Sequence, residues 1–512
     1  LAIVSATALM IGTVGLSPSA AVGNFQDEAA ESAASILASS VGGNDLVGVA
    51  ATSAGLKSSP GANNDALNVD VLGDQVVQFG DVSIPLNDVI DFGAMGALGS
   101  SSEAGSATAT RSVSGLLAEG GSVKLSGDDA SFGAATINLL SLSESAGVEG
   151  LTDLAIDQLE LKLGAFGSEV VVEDGKILDP DGVGGPGQYR VGQADLLLRS
   201  PLVGDAANGI YGAAGAVDTT VEDLVNKNLD VDALTGLVSG VPGVPTPTVT
   251  VDSNMQDTLF QRVLNQPITS HNKVVTIDFS TGELQIHLDQ VVGKGGLNAQ
   301  EPNAELISSE IYPLIAESIH DIMHDITNLL VGAIEDSLNA VTITVQFADD
   351  KGLVGGNLDV TWTFTLADIA SGDLGEVTDN SSGLIGGTAG TALATAIQTL
   401  GSTVGPVLAP VYELIISDAG DHIFELVIND IKFGITSSIV NMLSPLFEVL
   451  NGFVSLQVNH QEIGTCENSA GEDVTNSLDL SALSLGLARS ADGGRLNLGN
   501  SSTRFTPVGC SS

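Results

Sequence analysis

The chain has 512 residues, and its 16 Lys and Arg against 63 Asp and Glu give a formal net charge of −47. A general nucleic-acid binder is excluded, because neutralising phosphates takes clustered Lys and Arg, and docking on anionic lipid is disfavoured for the same reason. A hydrophobic content of 43% argues against global disorder, and the length suits roughly three average domains.

Residues 1–21 read as a signal peptide whose positive n-region is missing: Ala2 to Leu16 are apolar or small and uncharged, and Ser19 and Ala21 are small enough for cleavage after Ala21. The segment from Asn24 to Ala66 is Ala/Ser/Gly-rich, and the spacing of Ala34, Ile36 and Leu37 predicts one short helix. Alternation then predicts strands at Leu67–Val71 and Val82–Leu86. Residues 92–120 read as a low-complexity loop. Further strands are expected at Val123–Leu125, Ile137–Leu142, Leu159–Leu163, Val170–Val172 and Tyr189–Arg199. Residues 239–248 are punctuated by Pro and Gly and predict a linker.

Beyond it lies the clearest hairpin, in which Val275, Ile277 and Phe279 precede Thr281-Gly282, and Leu284, Ile286 and Leu288 follow, each alternating with polar residues. The clearest helix spans 309–338, with Ile315, Ile319, Ile322, Ile326 and Leu330 as its apolar stripe. Two strands are expected around Val341–Phe347 and Leu358–Leu366. Asn380 to Tyr412 has no charged residue and, interrupted by Gln398, Pro406 and Pro410, reads as half of a helical hairpin completed by Ile435–Leu450. Strands return at Val454–Val458, Leu478–Leu487 and Leu496–Leu498.

The fold class expected is α+β, with antiparallel β-sheets and long packed helices, a β-rich N-terminal region and a small β C-terminal region. The organisation expected is a signal peptide over 1–21, a β-rich region over 22–238, the linker 239–248, a hairpin–helix–hairpin region over 249–370, and a helical hairpin with a disulfide-linked β region over 371–512.

Charged residues make up 15%, against about 25% in ordinary soluble proteins, and the deficit falls on Lys and Arg. That balance and the N-terminal segment point outside the cell. The two cysteines, Cys466 and Cys510, then predict one disulfide.

Motifs for chemistry are weak. His320 and His324 share a helical face with Glu317 and can hold zinc at that spacing, but Asp321 stands where the zincin pattern needs Glu, and no third ligand is evident. They read as a solvated polar face. Gly182 to Gly187 matches G-x-G-x-x-G outside a βαβ unit and reads as a loop. Ser270 and Lys273 match S-x-x-K, but Val274 opens a strand where that motif needs a helix. Asp179, Asp181 and Gly182 resemble the start of a calcium loop, but Arg190 takes the twelfth position, so a β-turn is expected. Trp362 is expected in the core. No catalytic residue, cofactor or metal site is expected.

Three segments carry a family resemblance: Gly187-Gln188-Tyr189-Arg190-Val191-Gly192-Gln193-Ala194-Asp195-Leu196-Leu197-Leu198-Arg199-Ser200-Pro201-Leu202, the stretch from Thr391 to Pro410, and Ala482–Leu487 with Leu496–Ser502. The chain resembles the choice-of-anchor G family of actinobacterial surface proteins. The resemblance implies secretion from a Gram-positive cell and attachment by an interchangeable C-terminal anchor, and it supplies no catalytic residues. The sequence departs from it after Cys510, where no sorting motif, apolar tail or basic stop follows. The function expected is therefore that of a secreted, non-enzymatic cell-surface protein with an adhesion or structural role, binding a surface ligand or itself, without nucleic acid and without a membrane span in the mature chain. A self-assembling layer or filament subunit and a secreted metal-assisted hydrolase are the alternatives.

Overall fold

The computed structural model describes residues 28–41, 44–67, 76–79, 82–85, 89–92, 98–117, 123–124, 135–145, 156–180, 182, 184–293, 295–308, 310–353, 356–400, 409, 412–413, 436–487, 494–507 and 509–510. The expected signal peptide lies outside these residues, as do most of Leu67–Val71 and the segment linking the two expected hairpin helices.

Two antiparallel sheets face each other as a sandwich. The first runs, in spatial order, Asn44–Gly55, Glu31–Val41, Gly494–Arg504, Asp473–Leu487, Val454–Glu467 and Ala304–Glu305. The second has the path Lys176–Ile177, Phe166–Glu173, Ala109–Leu117, Leu98–Ser106 and Gly61–Ala66, with Gln188–Val191 and Val123–Lys124 attached. The two interior faces are rich in small and hydroxyl-bearing residues, with Val170, Leu478 and Leu480 as a small apolar cluster among them. Ser32 Oγ donates to Glu103 O at 2.9 Å, Ser501 Oγ to Ser168 O at 2.9 Å and Ser168 Oγ to Leu480 O at 3.1 Å. One short hydroxyl side chain bridges the gap in each case, so these sheets approach more closely than the ~10 Å usual for larger side chains.

This packing corrects two sequence expectations. The segment expected as a short helix is the strand Glu31–Val41. Ala34, Ile36 and Leu37 fit either period, and pairing with a long strand on each side decides for the strand. Within the expected loop 92–120 lie the strands Leu98–Ser106 and Ala109–Leu117, whose small residues serve close sheet packing rather than flexibility.

The third sheet orders Ile268–Thr269, Val275–Asp278, Glu283–His287, Ala194–Arg199, Gln158–Leu163, Ala135–Asn138 and Ile90–Asp91. Two strands expected to be continuous are interrupted. Ile137–Leu142 is strand only to Asn138 and then becomes the helix Leu139–Ser145. Tyr189–Arg199 is two strands, Gln188–Val191 in the second sheet and Ala194–Arg199 in the third. The chain changes sheets at Gly192-Gln193, beside the same change at Gly164-Ala165. The two crossings are tied by Gly164 N donating to Gln193 O at 2.9 Å and Gly192 N to Ala165 O at 2.7 Å. A β-carbon on Gly164 would come within 2.8 Å of Gln193 N, so the close approach requires glycine there.

The fourth sheet joins Thr248–Asp252, Thr342–Leu353, Gly356–Thr365 and Glu376–Asp379, with Ser382–Gly383 attached. Trp362 is buried in it, 2% exposed, with Nε1 donating to Leu374 O at 2.6 Å. Helices Pro201–Asn228 and Tyr312–Ala340 have 28 and 29 residues; the other described α-helices run from 4 to 18. Ser200 caps the first, its Oγ accepting from Leu202 N, with Pro201 opening the helix. The second buries its expected stripe. A single apolar cluster links these helices with the third and fourth sheets and reaches into the sandwich. The chain is therefore a mixed α and β protein built on antiparallel sheets.

Gly499 tests the close packing. Its φ is +62° and a β-carbon would lie 2.9 Å from Gly167 Cα in the opposite sheet. Gly499→Ala should cost on the order of 2 kcal/mol or more, whereas Gly212→Ala, on a helix with open space around it, should add about 0.5–1 kcal/mol. Urea midpoints measure both.

Glu31 and Arg504 are directly paired across the strands at the two chain ends, joined by an ion pair at 2.9 Å. Burial of Glu31, opposed by Arg504, pushes its pKa up to about 7 from an ordinary value near 4.5. The folded state therefore holds this proton more tightly than the unfolded state. The associated stability is fully present below about pH 4.5 and is lost as pH rises through about 7. Thermal melts of Glu31→Gln should lack that part of the decline.

Candidate functional site

The outward face of the third sheet carries a polar network at the place where the chain crosses from the sandwich. In Ala194–Arg199, Ala194, Leu196 and Leu198 belong to the apolar cluster, and alternation turns Asp195 to the other face. The same rule places Thr276, Gln285 and His287 there, because Val275, Ile277, Leu284 and Ile286 are core. Register brings them together: Asp195 lies opposite His287 and Thr276 opposite Gln285.

The Asp195 side chain is only 1% exposed, and its carboxylate is satisfied by three donors. His287 Nδ1 donates to Oδ1 at 2.8 Å, Gln285 Nε2 to Oδ2 at 2.7 Å, and Gln193 Nε2 also to Oδ2. With the proton on Nδ1, His287 Nε2 accepts from Thr276 Oγ1 at 3.1 Å. Thr269 Oγ1 is 2.9 Å from Thr276 Oγ1. The hydrogen bond to Asp195 raises the His287 pKa above its ordinary value, assisted by the charges of Asp195 and Asp289 and opposed by partial burial.

This network opens onto a cavity of about 690 Å³ lined by Gly192, Gln193, Thr269, Lys273, Thr276, His287, Asp289 and Gln290. Lys273 has φ +60°, uncommon for a residue with a β-carbon. The turn that holds it is fixed by Ser270 Oγ accepting from Val275 N at 3.1 Å and Asn272 Oδ1 accepting from Val274 N at 3.1 Å. Asn272 Nδ2 in turn donates to Ser318 Oγ of the long helix at 2.9 Å. Ser270 of the S-x-x-K match is thus a turn-forming residue, while Lys273 reaches the cavity.

Chemically, a carboxylate–imidazole–hydroxyl relay polarises the hydroxyl as a nucleophile. One ligand atom each from Asp195, His287 and Asp289 also lie within 4.8 Å of one another. A metal drawing on His287 Nδ1 and Asp195 Oδ1 would have to break the bond between them.

The other residues singled out from sequence do not meet this site. His320 and His324 are exposed on their helix. Gly184 O accepts from Asn459 Nδ2 at 2.6 Å and Gln461 Nε2 at 3.0 Å, which fastens the G-x-G-x-x-G turn to the first sheet. Asp179 Oδ1 accepts from Gly182 N at 2.9 Å as a turn does, and Asp181 lies outside the described residues. Cys466 and Cys510 form a disulfide.

A family model described as a domain of unknown function (DUF8394) matches residues 33–504. The chain belongs to that family. The match covers all but the first two residues of the sandwich sheets and every residue of the polar network. No curated protein and no solved structure matches the chain.

Asp195→Asn removes the acceptor charge, so NMR should show His287 titrating closer to its ordinary value near 6.5. Because that pKa is raised in the folded state, the associated stability is present in acid and lost as pH rises through the folded value. Melts of the variant should lack that loss.

Proposed function

We propose that this is an exported surface protein that works by binding or by structural assembly rather than by turnover. The observation that carries the reading is the Cys466–Cys510 bond, which uses both cysteines of the chain. Paired cysteines in a chain this poor in Lys and Arg suit an oxidising compartment outside the cytosol. The bond joins the segment after the last strand to the hairpin of Val454–Glu467 and Asp473–Leu487, with Cα atoms 6.2 Å apart. It closes a sequence separation of 44 residues, for which the chain-entropy account gives about 3–4 kcal/mol.

No described helix is long and apolar enough to cross a membrane. Residues of Pro201–Asn228 and Tyr312–Ala340 share one apolar cluster with the third sheet. The resemblance to choice-of-anchor G proteins supports an adhesive or surface-structure role.

Fractionation of the producing cells tests the location. The protein should be recovered outside the cytosol, with Cys466 and Cys510 blocked to alkylation until reduced. Cytosolic protein with both thiols free would overturn the reading. Replacing both cysteines with Ser should lower stability by about the amount given above.

A further inference from the structure

We propose that Thr276 and Gln285 form an intramolecular ester bond, made by the chain itself with His287 as general base and Asp195 as its positioning residue. The nucleophile is Thr276 Oγ1, whose proton faces His287 Nε2 at 3.1 Å. The electrophile is the side-chain amide carbon of Gln285, directly opposite Thr276 in the ladder. β-carbons of such a pair stand about 4.5–5.5 Å apart. The path from Thr276 Cβ through Oγ1, Cδ and Cγ to Gln285 Cβ is four bonds, which spans that gap without moving either strand. Gln193 also donates to Asp195, but it precedes its strand and has no register partner among these residues.

The step balances without any co-reactant. Thr276 Oγ1 attacks Gln285 Cδ as His287 Nε2 takes the hydroxyl proton. The carbonyl electrons move onto Oε1 and return as the Cδ–Nε2 bond breaks. The proton held by His287 passes to the departing nitrogen, which leaves as ammonia. Asp195 keeps Nδ1 protonated and stabilises the transient imidazolium, the role a buried carboxylate plays in acyl-transfer triads. Asp195 Oδ2 also accepts from Gln285 Nε2 at 2.7 Å and so orients the leaving group. Lys273, held in its left-handed turn, lines the same cavity as Thr276 and His287. The ester ties the two strands of one hairpin and has the single turnover expected of chemistry on a protein's own backbone scaffold. It requires nothing of the surface role, so the two proposals fail separately.

Mass spectrometry of the full chain decides. The tryptic peptide Val274–Lys294 contains both residues. It should be lighter than its sequence by one ammonia and yield no fragments from cleavage between Thr276 and Gln285. Hydroxylamine should open it to a Gln285 hydroxamate. Thr276→Ser should keep the link, and Thr276→Val and His287→Ala should restore the full mass while circular dichroism shows a folded protein. Asp195→Asn should lower the linked fraction together with the His287 titration. Recovery of Val274–Lys294 from folded wild type at full mass, with an unbroken fragment series, overturns the proposal. So does a link to Gln193, a mass loss that persists in Thr276→Val, or labelling of Thr276 by a phosphonofluoridate probe in protein of full mass. The last outcome would instead mark an enzyme acting on external esters or amides.

Discussion

The sandwich depends on one strand pairing, that of Glu31–Val41 with Gly494–Arg504. It places the two ends of the described chain side by side in the middle of the first sheet and leaves each with a further partner on its other flank. Without it, Asn44–Gly55 and Glu31–Val41 would be a two-stranded hairpin held only by its packing on the second sheet, and a hairpin by itself is marginal in water. The remaining strands would lose the neighbour that completes their buried face. Closing so large a loop adds only a logarithmic entropy term. The pairing is therefore affordable in thermodynamic terms, but it makes the sheet a late, long-range assembly that cannot be complete until almost the entire chain is present.

The interior that this pairing creates is unusual in composition. Large apolar side chains carry most sandwich cores, but here the small cluster of Val170, Leu478 and Leu480 is surrounded by buried Ser and Thr. Thr110 bonds Thr503 across the sheets, and Thr52 Oγ1 lies 3.1 Å from Ser100 Oγ. Small side chains bury little apolar area each, so stability here rests on close approach, on the ladders and on these cross-sheet hydrogen bonds. The disulfide stands at the end of the same sheet, where the chain leaves its last strand. There it restrains fraying of Gly494–Arg504, the strand on which the N-terminal pairing relies.

Local pattern was legible in the sequence, whereas partnership was not. The isoleucine stripe of Tyr312–Ala340 and the hairpin from Val275 to His287 follow directly from period. So does the burial of Trp362, flanked by outward-facing threonines. Helix 309–338 and the strands near Val341 and Leu358 are found within a few residues of their expected places. The failures occur where small residues carry the structure. Ala, Ser and Gly have weak hydrophobic contrast, so neither the Glu31–Val41 strand nor the pair Leu98–Ser106 and Ala109–Leu117 shows a clear period. The site was hidden for a different reason. His287 is visible as an outward residue of a hairpin, but its partner Asp195 belongs to a strand whose beginning is obscured by the crossing at Gly192-Gln193. Only the change of sheet there turns Asp195 towards the hairpin. The available signal was polar, outward positions on neighbouring strands, Thr276, Gln285 and His287, beside a lone Asp in a Leu-rich run.

The two kinds of polar burial in this chain obey different rules, and the difference explains why reactivity gathers where it does. A hydroxyl in the sandwich is neutral and short. Ser39, Ser102 and Ser112 bury their oxygens without a hydrogen-bond partner among the described residues, at a cost of about 1–3 kcal/mol each at most. An ionised carboxylate has no such tolerance, because its desolvation is far more expensive unless several donors compensate it. Asp195 therefore draws Gln193, Gln285 and His287 around itself, and meeting that demand commits Nδ1 of the imidazole. Once Nδ1 is committed as donor, Nε2 is left as an acceptor facing the cavity, and the nearest group able to donate to it is the Thr276 hydroxyl. The tautomer that activates Thr276 is thus the one that the stability of Asp195 already requires, so the same contacts that make the charge bearable inside the sheet prepare the nucleophile at its surface.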